Sequence, residues 1–332
     1  MNSHLQTELA ALLTTRFGLR DVKASVFDET NQQLFDIRYL EGERASRAVL
    51  RVFPDWVERR DTEVEAAWMS ALHRDTSLRV QYPLPDIDGA LVQQLDLPDE
   101  DQPPVIMLHS WLPGQILSEV VSTATMREVG CTLARLHSHS ATHMPRERSD
   151  YSREPFEVWV EDWSGAASIT EDAPQILHSA SAEVAKLYEQ VCVESQHCGI
   201  IHGDAHPWNL IVEEGAVGLI DFSDCGWGAY VYDIAAALAY FRYPWVGGYE
   251  PEISYAELEE ALLEGYASHR PVPDHIETAL PVCLLARLMI LVQWVLDEMG
   301  DVDATEWSRG AVTNTVDLFR HFNVEDFSTT SS

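Results

Sequence analysis

The feature that most constrains this 332-residue chain is a change of pattern at Leu112-Pro113-Gly114. Before it, short apolar runs alternate as strands do, at 22–27, 33–39 and 48–53. Two more, at 91–95 and 105–111, flank a polar, proline-rich loop at 96–104. Asp28-Glu29-Thr30-Asn31 reads as the turn between the first two runs. Leu5, Leu9, Leu12, Leu13 and Phe17 recur at helical spacing and stop at Gly18. Residues 61–73 carry acids early and line up Val64, Trp68, Met69 and Leu72 on one face. The first third is therefore expected to be a small, mostly antiparallel sheet with one inserted helix.

After Gly114 the period lengthens. Helices are expected at 118–138, 156–164 and 172–197, with a polar loop at 141–155. A short β segment follows, then helix from Asp233 nearly to the end, with a frayed tail at 327–332. A sheet-rich part followed by a helical part predicts an α+β chain of two lobes, 1–109 and 110–332, joined near 109–114. The most apolar stretch, 279–296, has Arg287 at its middle and lies between Glu277 and Asp297. A charge at mid-span is costly in lipid, so the reading is a buried helix of a soluble domain.

The charge balance excludes some partners. Fifty-four acidic residues face 22 basic ones, for a net charge of -32, and only Lys23 and Lys186 are lysines. Such a surface repels DNA, RNA and anionic lipid. It suits a cationic substrate, and it equally serves solubility. Five cysteines without Cys-x-x-Cys spacing fit free thiols in a reducing compartment. The N-terminus lacks the basic and apolar regions of a signal peptide, so a cytoplasmic location is expected.

The chemistry concentrates in His202-Gly203-Asp204-Ala205-His206-Pro207-Trp208-Asn209. Leu210-Ile211-Val212, Glu213-Glu214-Gly215-Ala216 and Val217-Gly218-Leu219-Ile220 then read as strand, turn and strand, and Asp221 ends the second strand. A hairpin of this size brings the Asn209 and Asp221 ends side by side. Phosphoryl transfer needs this set: a carboxylate to accept a proton or orient the attacking hydroxyl, and hard oxygen ligands for Mg²⁺. The Asp-x4-Asn spacing is that of protein kinases, which also place an Asp after the following hairpin.

This stretch, with Ile220-Asp221-Phe222, resembles the aminoglycoside phosphotransferase family, which includes choline, homoserine and hydroxylysine kinases. The resemblance implies a bilobal protein-kinase-like fold with ATP or GTP in the cleft between lobes. It makes Asp204 the catalytic base and Asn209 and Asp221 the Mg²⁺ ligands. Tyr232-Asp233-Ile234-Ala235 matches the family's run in which the Asp is structural. Arg51, on the third strand, stands where protein kinases carry Lys, and Glu65, with Glu63 as rival, is its expected helix partner. Gly-x-Gly-x-x-Gly is absent, so triphosphate contact falls to backbone N–H groups and Asn31 in the 28–32 turn. The segment Ile106 to Gly114 fits the family's hinge, with adenine bonding the backbone near Leu108 to Ser110. The acceptor is a small hydroxyl-bearing molecule whose identity, like the oligomeric state, is open.

Other readings remain beside this one. A stress-response type protein Ser/Thr kinase shares the superfamily, but the segment from Asp221 to Asp233 is too short for a regulated loop. A regulatory pseudokinase is at odds with Asp204, Asn209 and Asp221 all being present. Gly-Asp-x-His also occurs in metallophosphoesterases, which need several more clusters of ligands. Here the only other His cluster is His137, His139 and His143. Asp224 is either a second acid near the metal or a turn residue. Trp159, Trp163, Trp227, Tyr230, Tyr240 and Trp245 line an acceptor pocket or, more often at such spacing, belong to the core. Arg287 and Trp294 face the acceptor, or Arg287 caps an internal network.

Overall fold

A computed structural model describes residues 3–27, 34–54, 57–95, 103–143, 162–194, 197–247, 252–299 and 305–321. Its backbone divides into two compact units. One is Met1–Pro113 with Gly218–Ser223; the other is Gly114–Val217 with Asp224–Ser332.

The first unit runs α1 (Ser3–Arg16), β1 (Arg20–Val26), β2 (Leu34–Glu41), β3 (Arg44–Val52), α2 (Arg59–Asp75), β4 (Arg79–Val80), β5 (Val92–Gln94) and β6 (Val105–Ser110). Five strands form a sheet in the order β1-β2-β3-β6-β5, every pair antiparallel. Side chains alternate between its faces. Phe35, Ile37, Ala48, Leu50, Ile106 and Leu108 pack with Leu9, Leu13 and Phe17 of and just after α1. Phe53, Val92 and Met107 face Ala66 of α2. Arg51 pairs in register with Met107, and Val49 with His109, so Arg51 and His109 stand on the α2 side.

The second unit runs β7 (Gln115–Ile116), α3 (Thr123–His143), α4 (Ala173–Glu194), β8 (Cys198–Ile201), β9 (Leu210–Glu213), β10 (Ala216–Leu219), β11 (Gly226–Ala229), α5 (Tyr230–Arg242), α6 (Pro244–Gly247), α7 (Tyr255–Ala267), α8 (Ile276–Met299) and α9 (Glu306–Arg320). β8 pairs antiparallel with β11, and β7 with β9. Helix α3 lies directly on α7. A Cβ on Gly130 would stand 1.9 Å from the Leu262 carbonyl oxygen, and one on Gly265 would stand 1.8 Å from that of Arg127. The glycines let the two backbones touch.

Helix α8 is long and apolar enough to cross a membrane, by length and composition alone. It is instead the centre of the second unit, packed by α4, α5 and α9. Leu284, Leu285, Leu288, Met289, Val292 and Val295 are buried along it. Each such side chain contributes roughly 1.5–3 kcal/mol on leaving water.

The end of β10 belongs to the first unit. Gly218 and Leu219 pair in parallel with Arg79 and Val80 of β4. Residues 218–223, placed by the sequence reading in the C-terminal lobe, thus lie with the N-terminal unit. Helix α3 also reaches His143, into the stretch read as loop. Most of the helix expected at 156–164 falls outside the described residues; the first described structure there is a 3₁₀ turn, Ser164–Ser168.

Candidate phosphotransfer site

In the second unit, β8 delivers the chain to His202 and the catalytic-type loop. Gly203 takes a positive φ of 79°, and a Cβ there would meet the Asp224 carbonyl oxygen at 2.2 Å, so the turn admits only glycine. The backbone N–H groups of His202 and Gly203 both donate to the carboxylate of Asp233, at 2.8 and 2.9 Å. Asp233 is fully buried in the first turn of α5, where the helix dipole favours a negative charge. Its third partner is the ring of His137 (Nε2, 3.0 Å), whose Nδ1 faces the Tyr266 hydroxyl at 2.9 Å. Burial pushes the His137 pKa down, favouring the neutral ring, which donates to Asp233 through Nε2 and accepts from Tyr266.

That anchored loop presents Asp204. Asn209 donates its side-chain amide to the Asp204 carbonyl and to its Oδ2, both at 2.9 Å. His206 Nε2 lies 3.3 Å from the same Oδ2, while its Nδ1 accepts the Trp208 backbone N–H at 3.1 Å. Arg287, from the middle of α8, binds Oδ1 through Nη2. Burial alone would raise the Asp204 pKa, but His206 and Arg287 outweigh it and hold the carboxyl well below the ordinary range. His206, Trp208 and Tyr240 pack edge to face beside this carboxylate.

In the first unit, β3 presents Arg51 to Asp221, with Nη1 to Oδ1 at 2.5 Å. Asp221 sits at a positive φ of 58°, a conformation that non-glycine residues seldom hold outside functional or tightly constrained sites. Its N–H donates to the buried Gln81 side chain at 3.3 Å. Glu65, 4% exposed, places Oε1 3.9 Å from Nε2 of His109. Burial, then the Arg51 charge, pull the His109 pKa down to about 4, so this ring is neutral.

Arg51 thus pairs with Asp221, a partner the sequence reading did not name for it, and Glu65 lies beside His109 on the same side of the sheet. At the expected hinge, two backbone groups bond to residues 82–84. The Leu108 carbonyl accepts from the Leu84 N–H at 2.7 Å, and the Ser110 N–H donates to the Tyr82 carbonyl at 2.8 Å. The Ser110 hydroxyl also accepts from the Tyr82 N–H at 3.0 Å. Asn31 and Trp159 lie outside the described residues. Trp163 is buried and Asp224 exposed. Trp294 is half exposed beside Trp307. Of the contacts that build the site, Gln81 to Asp221 had no signal in the sequence; Arg287 had one, as the lone charge in an apolar run.

Residues 30–272 match the phosphotransferase enzyme family. A homoserine kinase of Gluconobacter oxydans is 28% identical over 251 residues, covering 72% of this chain and 73% of its own length. An amicoumacin kinase solved in complex with AMP-PNP, Ca²⁺ and Ami aligns with a TM-score of 0.74 at 14% identity, covering 99% of this chain and 100% of its own. A microcompartment-associated aminopropanol kinase aligns with a TM-score of 0.68 at 22% identity, covering 95% and 94%. The solved structures share the α+β, protein-kinase-like fold. Taken with the match over residues 30–272, they make this chain a member of the phosphotransferase enzyme family, kinases of small hydroxyl-bearing molecules.

Proposed function

We propose that this kinase moves the γ-phosphate of ATP or GTP to a hydroxyl of a small acceptor, with Asp204 as the base. The observation that carries the reading is the Asp204 carboxylate, held by Asn209 in a loop that the buried Asp233 pins at two backbone amides. The acceptor O–H gives its proton to Asp204 as its oxygen attacks the γ-phosphorus, and the bond from that phosphorus to the β-phosphate oxygen breaks. Arg51 binds the α/β-phosphates, and Glu65 orients it.

The donor set fits Mg²⁺. Asn209 turns its amide nitrogen to Asp204, which leaves its side-chain oxygen as a hard donor, and Asp221 supplies a carboxylate. Mg²⁺ takes few protein ligands, so these two would hold it, and the bound ion would neutralise charge on the phosphates. Among the described residues, no three His, Cys, Asp or Glu side chains group as the multi-metal cluster a metallophosphoesterase requires. Cys131, Cys198, Cys225 and Cys283 stand outside any disulfide, which suits a reducing cytoplasm. Homoserine, named for a relative, is the first acceptor to assay.

Thermal denaturation with Mg²⁺ and ATP, then GTP, tests the nucleotide site. Binding to the folded state raises the midpoint by mass action. An unchanged midpoint at millimolar nucleotide would refute the reading.

A further inference from the structure

The carboxylate that pins the Asp204 loop is itself the end of a longer chain of side chains. Asp233 takes the His202 and Gly203 N–H groups and Nε2 of His137, and Nδ1 of His137 meets the Tyr266 hydroxyl. Asp233, His137 and Tyr266 are all fully buried. Arg270 stands one helical turn beyond Tyr266, just past the end of α7, where its N–H donates to the Tyr266 carbonyl at 3.0 Å. Burial pushes the Tyr266 phenol up, and the Arg270 guanidinium works against that both as a charge and as a hydrogen-bond partner of the hydroxyl. The guanidinium also lies over the Tyr230 ring, 4.8 Å from its centroid. Tyr230 in turn stacks on His137, with centroids 4.4 Å apart and 19° between the planes. Arg270 therefore reaches His137 twice, through the Tyr266 hydroxyl and through the Tyr230 ring. Its Nε has no hydrogen-bond partner among the described residues, so the arginine gives up solvation to stand there.

The two middle members of this chain are ambiguous on their own. A hydroxyl can give or take a hydrogen bond, and a neutral imidazole has two tautomers. The two ends are not ambiguous: a guanidinium only donates and a carboxylate only accepts. Together they force one direction. Arg270 donates to the Tyr266 oxygen, the Tyr266 O–H donates to Nδ1 of His137, and Nε2–H of His137 donates to Asp233. A reversed Tyr266 hydroxyl would aim its hydrogen at the guanidinium and leave Nδ1 without a donor. The other tautomer of His137 would turn a lone pair toward the Asp233 carboxylate. From this geometry we infer that Arg270 and Tyr266 are positioning residues for phosphotransfer, which fix the loop carrying Asp204 by making the chain through His137 and Asp233 run one way. A cation with only donors is what residue 270 must be. An amide there could accept as well as donate, and the direction would be lost.

The inference rests on the phosphotransferase reading, and a readout that needs no turnover separates the two. The full chain is compared with Arg270→Met, Arg270→Gln, Arg270→Lys and Tyr266→Phe. Three quantities are measured: ADP formation from Mg-ATP with homoserine, the Kd of Mg-AMP-PNP by calorimetry, and amide hydrogen exchange at His202 and Gly203. Arg270→Met, Arg270→Gln and Tyr266→Phe should lower kcat about tenfold, as a small misplacement of a reacting group does. Their nucleotide Kd should stay within about twofold, because an effect confined to the loop is seen in kcat and not in ground-state binding. The two amides should exchange about tenfold faster in the same three variants. Arg270→Lys, still a donor-only cation, should recover most of the rate and of the protection. Unchanged exchange in Arg270→Met, equal effects in Arg270→Met and Arg270→Lys, or a loss of nucleotide affinity that matches the loss in kcat would overturn the inference. Imidazole ¹⁵N spectra of the wild-type chain, with His137→Asn to assign the signal, decide it even where the other variants fail to fold. His137 should carry its proton on Nε2, and a proton on Nδ1 would overturn the proposed direction. Absence of both turnover and Mg-nucleotide binding is a different result, which removes the phosphotransferase reading and with it the catalytic role, while exchange and tautomer still report on the loop.

Discussion

Asn209 donates to Asp204 twice, once to its carbonyl and once to its carboxylate, both at 2.9 Å. One amide thereby sets the backbone and the side chain of the proposed base together. Asp204→Asn should lower kcat by about 10²–10⁴-fold while Mg-nucleotide binding persists. Asn209→Ala should lower kcat and also raise the Mg²⁺ concentration needed for half-maximal rate. Steady-state rates over a Mg²⁺ series check both. Full turnover by Asp204→Asn would move the base elsewhere.

Asp233 is fully buried and accepts from His202, Gly203 and His137. Removing it strands three donors in a dry site. Asp233→Ala should cost on the order of 3–5 kcal/mol, read as a lower urea midpoint with the slope unchanged. A loss under about 1 kcal/mol would show that water replaces the carboxylate.

Acid should weaken the first unit through His109. Its folded pKa is depressed to about 4 from 6.5, so the unfolded chain binds more protons between those values. The stabilisation is therefore complete above pH 6.5 and is lost as pH falls toward 4, by about 3 kcal/mol at most. His109→Phe should flatten the stability profile over that window. Urea midpoints between pH 7 and 4 in both proteins measure the difference. Burial also lowers His137, with the same sign, so part of the slope should remain.

The crossing of α3 and α7 leaves no room for a methyl group. Gly130→Ala or Gly265→Ala must separate the helices or bend them, at about 1–3 kcal/mol or more. Thermal midpoints should fall by several degrees in each. A neutral Gly130→Ala would mean that the two backbones do not approach as described.

Arg51 and Asp221 neutralise one another across 2.5 Å. Arg51→Ala should raise the Kd for Mg-ATP by about tenfold, through the lost phosphate contact. Its effect on folding stability should stay under about 1 kcal/mol, because both side chains reach solvent. Nucleotide titration and urea unfolding separate the two effects.

Much of this was legible in the residues, for physical reasons. The five-stranded sheet, its inserted helix and the core helix α8 follow from apolar period, which acts over many residues at once. The loop from His202 to Asn209 and the strand, turn and strand after it are local chemistry. Contacts that join distant segments were not legible. β4 is two residues long and β11 four, too short for a period, and β4 exists because Gly218 and Leu219 come to it from far along the chain. The same pairing carries Asp221 into the first unit, beside Gln81 and Arg51. Nothing in the sequence shows that residues 82–84 return to Leu108 and Ser110.

The place of α8 along the chain has a consequence for biogenesis. Helices α4 and α5 leave the ribosome before α8, which packs against both. Until residues 276–299 emerge, the faces of α4 and α5 that meet α8 lack that partner and are exposed to other chains. Release of a nascent polypeptide that ends short of α8 should therefore yield aggregates or chaperone-bound material, with the second unit acquiring protease resistance only late in synthesis.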